Sequence, residues 1–222
     1  MTDALDFGWL ETGYRALLEG AVMTIWLTLC STVLGLGISI LGAAARRGRI
    51  RWLRAVVGIY VEAIRNTPFI VQLFFIYFGL PGIGINLDPI TAAILAMTLN
   101  VGAYATEIVA AGLDAVPVGQ REAAQALGLR PRVVFLKVVL PQALAVIFPA
   151  LASQVVITML DSAVASQISV RELTMRANLI QSETFRPFET FLIAAAVYLV
   201  LSVLLRRVMT LCAKRYLGAG LS

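Results

Sequence analysis

Four ionisable side chains stand within or at the edge of stretches otherwise poor in charge: Glu62, Arg65, Glu107 and Asp161. A charge placed in hydrocarbon is costly, so such residues are functional candidates by default. Glu62 and Arg65 are three positions apart and share one face of a helix, and Glu107 falls at a similar depth in a later segment. Two readings stay open for this set. It is either a gate or substrate contact, or a structural ion pair joining two helices, because partly buried charges are normally paired. Asp161 ends another apolar run, where its carboxylate can attract an ammonium or cationic group; the alternative is an interfacial carboxylate bathed in water. Gln72, Asn100, Tyr104, Gln154 and Ser162 are uncharged groups able to complete a polar pocket, and each fits an interhelical hydrogen bond equally well.

Other chemistries lack their residues. There is no histidine, the commonest metal ligand and acid–base group. Cys30 and Cys212 lie in apolar segments near opposite ends of the chain and are expected to be buried, inert thiols, with no disulfide and no metal site. Neither Lys137 nor Lys214 follows a glycine, so no phosphate-binding Gly-Lys-Ser/Thr loop is present. No catalytic, cofactor-binding or metal residues are expected, and the chain is not expected to be an enzyme.

The elements that carry these residues follow from composition. Of 222 residues, 59% are hydrophobic and 14% charged, with a mean hydropathy of +0.87; a soluble domain carries roughly a quarter charged residues. Lipid must be the main solvent. Residues 21–45, 66–87, 89–106, 138–160 and 190–205 are free of charge, and a spanning helix needs about 20 mostly apolar residues. The expected architecture is all-α, one transmembrane domain over residues 1–222 with about five spanning helices. They are placed at roughly 17–44, 55–80 (interrupted at Pro68), 89–112, from near Pro141 to near Ser162, and over the last apolar run. The first twenty residues are acidic rather than basic, unlike the start of a signal peptide. Basic residues cluster at Arg46–Arg54, Arg121–Lys137 and Arg206–Arg215. The positive-inside rule then predicts an N-terminus outside and a C-terminus inside. Because the positive charge hugs membrane ends, nucleic acid is not an expected partner. Ser31, Gly35 and Ser39 recur every four residues on the first helix and permit close packing. The polar stretch Ser169–Gln181 reads as an amphipathic helix that either receives a partner or lies passively at the interface.

The segment from about 113 to 140 carries the most information. Pro117 opens a short helix, Gly128 ends it and Pro131 opens another. Arg121, Glu122, Ala123, Ala124, Gln125 and Ala126 make it face water, while Leu127, Leu129, Val133, Val134 and Leu136 give it an apolar side. A two-helix platform just inside the membrane suits docking to a cytoplasmic partner.

Glu122-Ala123-Ala124, three residues, Gly128, nine residues, Val138, one residue and Leu140-Pro141 resembles the EAA signature of permeases of ATP-binding-cassette importers, which has isoleucine where Val138 stands. Tyr60–Pro68, Val71–Pro81, Leu99–Ile108, Val116–Gln120 and Thr184–Glu189 resemble the polar amino-acid group of these permeases (histidine, glutamine, arginine, opine). Within the group's usual patterns, Asn66 replaces a glycine and Leu160-Asp161-Ser162-Ala163 stands for Lys-Asp-Thr-Ser. The resemblance implies the type I importer fold in the bacterial inner membrane. Gln120, Glu122, Ala123, Ala124 and Gly128 are then the coupling helix that fits a cleft in the ATPase. It also implies two ATPase subunits, which carry the ATP and magnesium, a second permease chain (identical or paralogous), a periplasmic substrate-binding protein and an amino-acid substrate. An importer of opines or another small solute is the alternative within this class, and an ion-coupled secondary transporter the alternative outside it.

Overall fold

The first uncharged run folds as a helix far longer than a bilayer requires. In the computed structural model, which describes residues 5–217, α1 covers Leu10–Arg47, 38 residues, or about 57 Å at 1.5 Å per residue, against roughly 30 Å of hydrocarbon. It begins seven residues before the expected start, and the added turns carry Glu11, Arg15 and Ala16.

α1 is the spine of the bundle, and its most extensive partner is α4 (Pro89–Asp114). The small residues decide that pairing. Gly35 lies so close to α4 that an added Cβ would stand 3.1 Å from the Thr98 carbonyl and 3.2 Å from the Gly102 nitrogen. Ser31 Oγ donates to the Ile94 carbonyl at 3.4 Å, and Ser39 is fully buried. The four-residue stripe is a helix-packing seam.

The second apolar run is where the structure departs from a simple span. α2 (Arg51–Arg65) and α3 (Phe69–Phe74) are separated at Asn66-Thr67-Pro68 and bent by 111°. A residue before proline is pushed out of the helical region, and Pro68 itself is extended, with ψ 140. α3 continues through a π turn, Phe75–Gly79, and a 3-10 turn, Leu80–Ile83. The expected single interrupted helix at 55–80 is therefore two helices at a steep angle, and α2 starts earlier.

Asp88 caps α4, accepting from the Thr91 amide at 3.1 Å and from its hydroxyl at 2.6 Å, contacts that hold its carboxyl below the ordinary range. After α4 come α5 (Val118–Ala126) and α6 (Pro131–Val134), then a π turn over Phe135–Val139 that leads into α7 (Leu140–Asp161). A 3-10 extension, Ser162–Ile168, joins α7 to α8 (Leu173–Thr184), and α9 (Pro187–Leu217) closes the described chain. Among the described residues, four helical stretches are long and apolar enough to cross a membrane, and the bent α2–α3 pair makes a fifth if it counts as one span.

Three apolar clusters hold the bundle. Leu27, Leu73, Met97 and Ile168 meet at mid-bundle; Leu17, Leu173, Ala177 and Ile180 tie α8 to α1; and Leu113, Val134, Val139 and Ile147 sit at the end where arginines collect. Cys30 is half-buried and Cys212 exposed, which corrects the expectation of two buried thiols: Cys212 lies on α9, which packs only partly against the bundle and leaves Val208 and Leu211 exposed.

Candidate functional site

At the arginine-rich end, α5 is held to the bundle by few contacts and turned outward. Pro117 precedes it, and the Gln120 amide donates to the Pro117 carbonyl at 3.1 Å. Ala124 is buried in the cluster with Leu113 and Val134, and Arg121 donates from Nη to the Leu113 carbonyl at 2.9 Å. Gln120, Glu122 and Ala123 are exposed. Gly128 adopts φ +72, a left-handed conformation that glycine takes without a Cβ penalty. The Leu129 amide reaches back to the Ala124 carbonyl at 3.3 Å and the Gly128 amide to that of Gln125 at 2.9 Å, which is the Schellman closure of a helix end. Nothing approaches within 4 Å of where a Gly128 side chain would stand, so backbone conformation, not space, selects glycine here.

The apolar side expected of this platform is buried only in part. Val134 is buried, but Leu127 is 79% exposed and Val118 66%. Leu129 and Leu136 are exposed too. With Glu122 and Ala123 they form an outward surface of mixed character.

The intramembrane charges come together in part. Arg65 on α2 lies 3.7 Å from Glu107 on α4, and its guanidinium sits over the Tyr104 ring at 5.4 Å. Glu107 also pairs with Arg46 at the end of α1, a partner that sequence reasoning used only as a topology marker. Arg47 pairs with Asp114 and donates to the Ala110 carbonyl at 3.2 Å. Glu62 is exposed and joins none of these pairs. The cluster thus ties α1, α2 and α4 together at one depth.

Gln72 and Asn100 are paired: the Asn100 amide donates to Gln72 Oε1 at 3.0 Å. The Gln72 amide donates to the Ile64 carbonyl at 2.7 Å and the Thr67 carbonyl at 3.0 Å, acceptors that the 111° break strips of helical partners. Gln72 therefore stitches α2 to α3 and both to α4. Gln154, Asp161 and Ser162 lie apart on α7 and its extension. Ser162 donates to the Met159 carbonyl at 2.6 Å, Gln154 is buried and Asp161 half-buried. None of these three bonds to the other candidates through its side chain among the described residues.

One residue of weight was not singled out from the sequence. Glu172, fully buried, caps α8: its carboxylate accepts from the Thr174 amide at 2.9 Å, the Met175 amide at 2.7 Å and the Tyr198 hydroxyl on α9 at 2.7 Å. Burial pushes its carboxyl above the ordinary value, against these three donors. Next to it, the Leu173 amide reaches Thr24 on α1 at 3.3 Å, and Arg176 pairs with Glu19 at 2.6 Å. The available signal was a carboxylate just ahead of an apolar helical pattern, an N-cap signature.

This arrangement has counterparts. Residues 35–218 match the family described as binding-protein-dependent transport system inner membrane component. The chain is 36% identical to the L-cystine transport system permease protein TcyB of Bacillus subtilis (strain 168) over 214 residues, 96% of this chain and 92% of that protein. It is 34% identical to the octopine transport system permease protein OccM of Rhizobium radiobacter over 215 residues, 93% and 88% of the two chains. A crystal structure of an amino acid ABC transporter with histidines superposes with a TM-score of 0.89 at 35% identity, covering 96% of this chain and 99% of that one. The long spine α1, the outward α5 with its Gly128 closure and the apolar bundle between them belong to a protein of the inner membrane, a member of the binding-protein-dependent transport system inner membrane component family.

Proposed function

We propose that this chain forms half of the membrane pathway of an ATP-driven importer for a polar amino acid and takes its motion from a separate ATPase through α5. Two ATPase subunits, which carry the ATP and magnesium, a second permease chain and a periplasmic substrate-binding protein complete the assembly. The observation that carries the reading is α5 itself: a helix closed by Gly128, fixed to α4 through Arg121 and to α6 through Ala124, with Gln120, Glu122 and Ala123 turned outward. A push on that face is passed to α4 on one side and to α7 on the other. Such a machine switches only if ATP and the loaded binding protein favour different conformations.

The excess of arginine at this end supports its placement in the cytoplasm, with the N-terminus outside and the C-terminus inside. Amino-acid specificity rests on the relatives, whose names carry cystine and octopine, and on the amino-acid transporter with the same fold. Asp161, Ser162, Gln154 and Tyr104 are the side chains proposed to face the solute. For Gln72 and Asn100, already bonded to each other, the bend is the better-supported role.

The deciding experiment measures ATP hydrolysis by the purified complex, stimulated by the binding protein loaded with each of a panel of amino acids and opines. Stimulation by one polar amino acid, lost with Ala123→Trp, is the expected result. Uptake into vesicles that continues without ATP overturns it in favour of an ion-coupled transporter.

A further inference from the structure

Beside α5, a feature of this chain is left unused by the transport reading. A groove of about 630 Å³ runs between α1, α4 and α7, lined by apolar side chains such as Leu36, Ile40, Ala44, Leu144 and Leu151. A smaller cavity of about 170 Å³ opens beside it, lined by Arg47, Arg121, Gln125 and Val134. Arg47 and Phe135 line both, so the two adjoin. The long apolar trough thus ends in a basic mouth.

The mouth has donors to spare. Arg121 spends one Nη on the Leu113 carbonyl, but its Nε is buried with no hydrogen-bond partner, an arrangement that costs free energy until an acceptor arrives. Arg47 is paired with Asp114, whose side chain is 76% exposed, so that pairing is weak and yields to a competing anion. Around the mouth, ion pairs set Arg46, Arg47 and Arg65 against Glu107 and Asp114, while Arg121 has no carboxylate partner among the described residues.

We propose that this end of the chain binds one anionic phospholipid, its phosphate held by Arg47 and Arg121 and one acyl chain lying in the groove between α1, α4 and α7. Basic pockets between membrane helices suit such headgroups. An inorganic anion satisfies the arginines and leaves the groove without an occupant. A protein helix fills the groove and brings no acceptor to Arg121 Nε. A phospholipid with a net negative charge does both. The bound lipid bridges the end of α1 to the platform of α5 and α6, so the platform's movement becomes sensitive to bilayer charge.

The test uses the complex that purifies with this chain, reconstituted in nanodiscs of phosphatidylcholine with phosphatidylglycerol of the same acyl chains. Native mass spectrometry then counts the lipids that stay bound. Phosphatidylglycerol is expected to be retained over phosphatidylcholine, with each of Arg47→Gln and Arg121→Gln lowering that preference by about fivefold. Ala44→Phe places a ring in the groove from an exposed position on α1 and is expected to abolish retention with both arginines in place. Equal retention of the two lipids overturns the proposal. So does retention unchanged by Ala44→Phe, which reduces the site to surface charge, or a crosslink from Ala44→Cys to another subunit, which fills the groove with protein.

Discussion

Replacing Glu172 by glutamine removes a charge and almost no volume from a fully buried position. In the native arrangement Oε1 accepts from Met175 N, and Oε2 from both Thr174 N and the Tyr198 hydroxyl. An amide offers one oxygen. If it keeps the Met175 bond, the new NH2 faces Tyr198, whose hydroxyl can turn to accept, and the Thr174 amide, which cannot. One buried backbone donor is left without an acceptor, at roughly 1–3 kcal/mol. At about 2–4 °C per kcal/mol for a chain of this length, a central value of about 2 kcal/mol lowers the melting midpoint by about 4–8 °C. Trp9 packs in the same cluster as Leu173 and Ile180, so tryptophan fluorescence on heating the detergent-purified protein reads the change where it occurs. The pH dependence gives a second handle. Burial raises the Glu172 carboxyl above its ordinary value of 4.5, so the folded state holds this proton more tightly than the unfolded chain. The resulting stabilisation is complete below 4.5 and lost as pH rises through the folded-state value. The amide does not titrate, so the native protein's lead over Glu172→Gln should shrink as pH rises from 4.5. A lead that grows over that range, or a midpoint unmoved by the substitution, refutes the reasoning.

Three further outcomes are expected. Gly128→Val forces a branched side chain into a left-handed conformation at a cost of about 1–2 kcal/mol. It should lower copurification of the ATPase subunit and, at about 2–4 °C per kcal/mol, lower the melting midpoint by about 2–8 °C, with Gly128→Asn the milder variant. Gly35→Leu drives α1 from α4 where Gly35 lies against the α4 backbone, and overpacking of about 1–3 kcal/mol should appear as a lowered midpoint and reduced yield. Gln72→Leu keeps the volume but strips the Thr67 carbonyl and the Asn100 amide of their partner and leaves the Ile64 carbonyl only the Thr67 hydroxyl, at 3.4 Å. At about 1–3 kcal/mol for each unmet buried group, it should open the bend to protease between α2 and α3.

The helical class and the spans were legible because charge-free runs of about twenty residues have few other solutions. Gly35 and Ser39 were legible as a seam because spacing alone places them on one face. The Pro68 break was visible, but not its angle, which depends on Gln72 reaching carbonyls five and eight residues earlier. The site was less readable. Spacing set Glu62 and Arg65 on one face with Glu107 at a similar depth, but which of them pair, Arg65 and Arg46 with Glu107, depends on separations that no local pattern reports. Glu172 is decisive only through Tyr198, 26 residues later. Leu127, Leu129, Val134 and Leu136 were legible as an apolar side, but periodicity cannot tell the residue that enters the core, Val134, from those left outward.

The π turn at Phe135–Val139 has a bearing on how permeases of this kind can vary. One residue more than an α-helix would use is spooled into the chain between α6 and α7. A π turn takes up one extra residue while the helix on either side keeps close to its facing, so deleting a single residue there should relax the turn to ordinary helix and leave α5 and α6 near their present direction. A further insertion or deletion has no such bulge to absorb it and would turn α5 by about 100°, one residue's rotation. This stretch therefore tolerates the loss of one residue of length better than the loss of the Val139 side chain, which is buried with Leu113 and Val134.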